Sequence, residues 1–136
     1  MLNGIYTTML ILSYSSGYNP TIYATDCIKQ VIEQHQTVTL TAYTNYPSET
    51  DGDPNITADG SRVKKGIIAV SRDLQKRGWG FGDIVMIDGV GTFTIRDVMH
   101  PKWKNRLDIY MDDRSEALEF GKKTNVKAFL LAKGKS

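Results

Sequence analysis

Polar and apolar residues alternate along Thr37-Val38-Thr39-Leu40-Thr41-Ala42-Tyr43, the two-residue period of a strand with one face buried. Gly66-Ile67-Ile68-Ala69-Val70 is instead a continuous apolar run flanked by charge, as expected of a strand covered on both faces. Asp83 to Ile87 and Gly91 to Ile95 read as two more strands, joined by Asp88-Gly89-Val90, a tight turn in which glycine takes angles that a side chain resists. Leu107 to Tyr110 and Val126 to Leu131 complete six. Short strands spaced this closely predict a small, mainly β, six-stranded barrel over residues 37–136. One helix interrupts them: Asp113 and Glu116 form a capping box, Ala117, Leu118 and Phe120 supply a buried face, and Gly121 ends it.

The N-terminal part has a different texture. Residues 1–24 contain no Asp, Glu, Lys or Arg, carry the apolar run Met9-Leu10-Ile11-Leu12, and reach the small residue Ala24. This pattern fits either a secretory signal peptide cleaved after Ala24, which would make the protein extracytoplasmic, or a plain N-terminal extension. The run is too short and too interrupted to anchor the chain stably in a bilayer. Across 25–36, Ile28, Val31, Ile32 and His35 recur at helical spacing, with Asp26 placed to cap a short helix or connector.

Composition narrows the class only a little. The chain has 136 residues, 40% hydrophobic and 24% charged, enough for one ordinary domain. A net charge of +2, with Lys and Arg interspersed among Asp and Glu, argues against a nucleic-acid partner. Cys27 is the single cysteine, so no internal disulfide is expected, and without a partner it is a poor candidate for zinc or for nucleophilic catalysis. The long polar segment from Thr44 to Lys65 is expected to border a binding groove and to form its most mobile wall. Within it Asp51, Asp53 and Asn55 start like a calcium loop, but Ile56 stands where the turn glycine belongs and Arg62 where the bidentate Glu belongs. No metal and no cofactor is expected. Gly78, Gly80 and Gly82 lack phosphate-loop spacing and mark a turn around Trp79 and Phe81.

The ordered segments Thr41-Ala42-Tyr43, Thr57-Ala58-Asp59-Gly60, Gly66 to Ser71, Gly82-Asp83, Gly89-Val90-Gly91, Arg96-Asp97, Arg106 to Tyr110 and Glu116 to Gly121 together resemble the three-aspartate (3D) domain. That family adopts a double-psi β-barrel and includes catalytic barrels of lytic transglycosylases and small muralytic proteins of spore-forming bacteria and phages. The resemblance spans nearly all of 37–131, and its most specific part is the pair Asp97 and Asp108, eleven residues apart. Two departures stand out. Ser71 replaces an Asp found in many members, with Asp73 two residues on, and residues 98–105 replace a Gly-rich segment with a basic and aromatic loop.

The resemblance implies a lytic transglycosylase acting on peptidoglycan glycan strands; the sequence does not fix the oligomeric state, and a monomer is the expectation. Asp108 would be the single general acid/base, its protonated form favoured by the apolar neighbours Leu107 and Ile109 and by Asp97 alongside. Asp97 would hold geometry, orient the sugar or tune Asp108. The two carboxylates are expected in one groove, about 4 to 8 Å apart. Tyr43, Thr57, His100 and Trp103 are substrate-binding candidates, Trp103 by stacking on a pyranose. Taken without the resemblance, an isolated Asp at a strand end is ordinarily a cap or a surface charge, and each of the other four has a packing or loop role as its plain alternative. The rival function is a non-catalytic wall-polysaccharide binder of the expansin-like type, for which Trp79 and Trp103 offer few exposed aromatics. A phage lysis or tail component would use the same chemistry.

Overall fold

Alternation along the first strand sends Val38 and Leu40 to a fully covered interior while the intervening threonines face outward. This pattern repeats around a closed ring. The computed structural model describes residues 20–46 and 52–135. The strands are β1 (Gln36–Tyr43), β2 (Ile67–Val70), β3 (Ile84–Ile87), β4 (Gly91–Val98), β5 (Arg106–Tyr110) and β6 (Lys123–Ala132), and they close in the order β1-β5-β2-β4-β3-β6.

The pairs β1–β5 and β2–β4 are parallel, and the other four are antiparallel. Exchanging β1 with β4, β2 with β5 and β3 with β6 leaves this set of pairs unchanged. Two interlocked halves related in this way make the six-stranded double-psi barrel. Closure leaves no sheet edge exposed. The interior is filled by Leu40, Ile68, Val70, Val85, Ile87, Ile95, Leu107 and Ile109, with Leu74 and Trp79 plugging one side. A second, smaller apolar cluster of Tyr43, Ile67, Ala69, Met99 and Tyr110 collects the alternate residues of β1, β2 and β5. β2 is buried at all four positions because Ile68 and Val70 face one cluster and Ile67 and Ala69 the other.

Several elements differ from the sequence expectation. β4 runs three residues beyond Ile95 and takes in Asp97, and β6 begins three residues before Val126. A short helix, α2 (Arg72–Lys76), follows β2 directly; one turn is too short to produce a recognisable helical period. The helix α3 (Arg114–Phe120) forms as expected, with the Asp113 carboxylate accepting the Glu116 N–H at 3.0 Å and Gly121 closing it at φ 65°. Its assigned buried face forms only in part: Ala117 and Phe120 are half-buried, Phe120 against the core, while Leu118 is 72% exposed and no residue of α3 is fully buried. Trp79, weighed above as a glycan-binding aromatic, is 4% exposed and belongs to the core.

The chain divides into two compact units, Met1–Gln34 and His35–Ser136. In the first unit, α1 (Pro20–Glu33) starts six residues before the expected Asp26 cap. Proline is favoured at the first helical position, where its missing N–H has no partner to lose. Asp26 therefore lies inside the helix. Ile28, expected on a packed stripe, is 61% exposed. His35 and Gln36 lie beyond the helix, Gln36 opening β1, and the His35 ring packs 5.7 Å from that of Phe129. The apolar run of the signal-peptide reading lies outside the described residues. Among the described residues no helix is long and apolar enough to cross a membrane.

Candidate active site

One row of paired residues crosses four adjacent strands. Thr41 on β1 pairs with Asp108 on β5, Asp108 with Ala69 on β2, and Ala69 with Asp97 on β4. Asp108 faces outward because it alternates with the buried Leu107 and Ile109. Asp97 needs a special device to join it. Strict alternation would turn Asp97 to the same side as Ile95, into the core. Ile68 pairs with Ile95, yet the next residue, Ala69, pairs with Asp97, so Arg96 is an extra residue in β4. This β-bulge re-aims Asp97 to the outer face.

Three members of the row, Asp108, Ala69 and Asp97, form the floor of a groove of about 530 Å³ whose lining also includes Tyr43, His100 and Trp103. Thr41 Oγ1 donates to Asp108 Oδ1 at 2.8 Å. Asp97 is held by three donors: the Tyr43 hydroxyl at 3.1 Å, and the Ala58 and Val98 N–H groups, each at 2.9 Å. Tyr43 itself stands edge-on to Tyr110, with ring centroids 5.6 Å apart. Burial first, then the charge and hydrogen bond of Asp97, push the Tyr43 phenol well above its ordinary range. It therefore stays a protonated donor. The two strand steps between Asp97 and Asp108 put their Cα atoms roughly 10 Å apart, with the small Ala69 side chain between them.

The long segment after β1 borders this groove through Asp53, Pro54, Ile56, Thr57, Ala58 and Val63. Its polar composition conceals a set of ties. Ile56 and Arg62 form an antiparallel bridge. Thr57, 4% exposed, donates to Asp59 at 2.6 Å, and Arg96 pairs with Asp59 at 3.2 Å. Burial would raise the Asp59 carboxyl, but hydrogen bonds from Ser61, Thr57 and Arg96 outweigh it and hold the group at about 2. The bulge residue thus anchors the segment whose Ala58 N–H grips Asp97. Asp53, part of the abandoned calcium pattern, accepts the Asn55 N–H at 2.9 Å and closes its own turn.

The remaining candidates are placed as follows. Thr57 reaches the groove wall, and its hydroxyl is engaged within the loop. His100 is exposed, and its Nδ1 accepts the Lys102 N–H at 3.2 Å. Trp103 is half-buried against the second cluster. The Arg106 guanidinium lies 3.9 Å from its ring centroid and the Lys102 ammonium 4.9 Å, so cations already stack on this indole. Ser71 and Asp73 brace the loop: Ser71 Oγ accepts the Arg106 N–H at 3.0 Å, and Asp73 accepts the Asn105 N–H at 2.9 Å.

Sequence reading missed Thr41, Ala69 and the Ala58 N–H. The alternation of β1, which puts Thr41 on the face of Tyr43, was the available signal for the first. No signal marked the other two, which depend on register and on a loop closing over a strand. No protein-family model matches the chain, and a search of curated proteins finds no match.

Proposed function

We propose that the protein is a lytic transglycosylase that cleaves peptidoglycan with Asp108 as its single acid/base. The observation that carries the reading is the placing of two carboxylates, Asp97 and Asp108, in one groove on either side of Ala69. Asp97 accepts three hydrogen bonds from the fold itself, which suits a fixed positioning group. Asp108 lies at the half-buried centre of the row, beside the smallest side chain of the floor. The likeness of the segments around both acids to the 3D family supports the same assignment.

In the proposed reaction a β-1,4 bond between N-acetylmuramic acid and N-acetylglucosamine lies across the row. Asp108 gives its proton to the departing glycosidic oxygen as the bond from C1 breaks. The muramyl C6 hydroxyl then bonds to C1, and its proton passes to Asp108, which restores the acid. The product is a 1,6-anhydromuramyl end. No water and no second carboxylate nucleophile is consumed, unlike in an ordinary retaining or inverting hydrolase. Asp97, with Tyr43 behind it, would orient the sugar. Secretion, which follows from the signal-peptide reading of residues 1–24 and not from the plain-extension one, would bring the protein to this substrate.

The test is incubation with purified peptidoglycan followed by mass analysis of the soluble products. Anhydromuramyl fragments are the expected result. Fragments with reducing ends would mean a hydrolase, and a protein that binds wall but releases nothing at any pH would be the polysaccharide-binding alternative.

A further inference from the structure

Three carboxylates, Asp53, Asp97 and Asp108, line the groove, and a polymer carrying carboxylates of its own would be repelled unless a cation met it. Most nearby cations are engaged. Arg96 pairs with Asp59 at 3.2 Å, Arg77 with Asp73 at 3.6 Å, and Arg106 stacks on Trp103. Arg72 is different: it lines the groove, is exposed, and makes no ion pair or side-chain hydrogen bond among the described residues.

Its backbone is also held from both sides. Ser71, fully buried, exchanges hydrogen bonds with the Arg106 main chain, its N–H donating to the carbonyl at 3.0 Å and its hydroxyl accepting from the N–H at 3.0 Å. Asp73 grips the Asn105 N–H at 2.9 Å. The root of the Arg72 side chain is thus placed by the fold at the groove, and its guanidinium fork matches a carboxylate in a bidentate way.

We propose that Arg72 is a specificity-determining residue that receives a carboxylate carried by the glycan strand, on its lactyl group or its stem peptide. The inference rests on the glycan reading above and adds the anionic character of the substrate. Arg72 then selects acidic strands, while Asp97 and Asp108 lie on the floor beside it.

Sedimentation of the full chain with insoluble peptidoglycan tests this, using native polymer and polymer whose carboxylates have been converted to amides. The wild type should bind the native polymer about 10-fold more tightly than the amidated one, the scale of a charge-assisted pair. Arg72→Gln should bind both polymers alike, at the weaker level, and Arg72→Lys should recover only part because an ammonium lacks the fork. Added salt should shrink the wild-type preference. Equal binding of both polymers by the wild type, or an Arg72→Gln protein that keeps the preference, overturns this inference and leaves the glycan reading standing. A wild type that sediments with neither polymer overturns both.

Discussion

Asp97 and Asp108 pair with the same residue, Ala69, from opposite sides of β2. Two acids separated by eleven positions in the chain are thus brought to one row of the barrel, with an alanine as the gap between them. The groove above that gap is where the proposed chemistry would take place.

Asp108→Asn keeps the size of the side chain and can still meet the Thr41 hydroxyl, but it cannot deliver a proton. Release of anhydromuramyl products should fall by roughly 10²- to 10⁴-fold. Binding to wall and the unfolding transition should stay near wild type. A variant that releases products at the wild-type rate would remove Asp108 from the mechanism.

Tyr43→Phe keeps the ring against Tyr110 and removes one of three donors to Asp97. Loss of a hydrogen bond to a charged acceptor should lower stability by about 1 to 3 kcal/mol, measured by urea unfolding. Turnover should drop less than in Asp108→Asn, because the Ala58 and Val98 N–H groups still hold Asp97. An equal or larger drop would make Tyr43 itself part of the chemistry.

Ala69→Val adds two methyl groups to the floor between the acids. Ala69 is only 5% exposed beneath the second cluster, so overpacking should cost about 1 to 3 kcal/mol. The barrel should still close, since valine suits a strand. Glycan binding should weaken on the order of 10-fold or more, as expected when a methyl intrudes on a fitted site. Unchanged binding in the same sedimentation assay would place the sugar elsewhere.

Asp59 makes the loop anchorage depend on acid. Its folded group sits at about 2 against an ordinary value of 3.8, so the stabilisation is fully present above pH 4 and is lost as pH falls through about 2. Unfolding of wild type and Asp59→Asn should differ by on the order of 2 kcal/mol at pH 5 and converge near pH 2. A difference that stays constant between pH 5 and pH 2 would mean that the carboxylate charge contributes nothing to the tie.

Local patterns in the chain were enough to place all six strands: a wall with one buried face imposes the period of two seen in Val38 and Leu40 and in Leu107 and Ile109 around an outward Asp108, and burial on both faces gives β2 its continuous apolar run. The same holds for the Asp113 cap and the Gly121 stop of α3, where the partners lie within one helical turn. The facing of Asp97 was not legible. Alternation from Ile95 points it inward, and only the pairing of β4 with β2 shows that Arg96 is an extra residue that turns it out. Pro20, a favoured first helical residue, marks the start of α1 ahead of Asp26, and the one-turn α2 is too short to show a period. Leu118 is apolar and lies in a capped helix, yet it faces solvent, because α3 meets the core through Phe120 and buries no residue fully. What joins Thr41, Asp108, Ala69 and Asp97 into one row is the register among four strands distant in sequence. Register is chosen by the closed barrel as a whole, because each strand must satisfy the hydrogen bonds of two neighbours at once. No single segment carries that information.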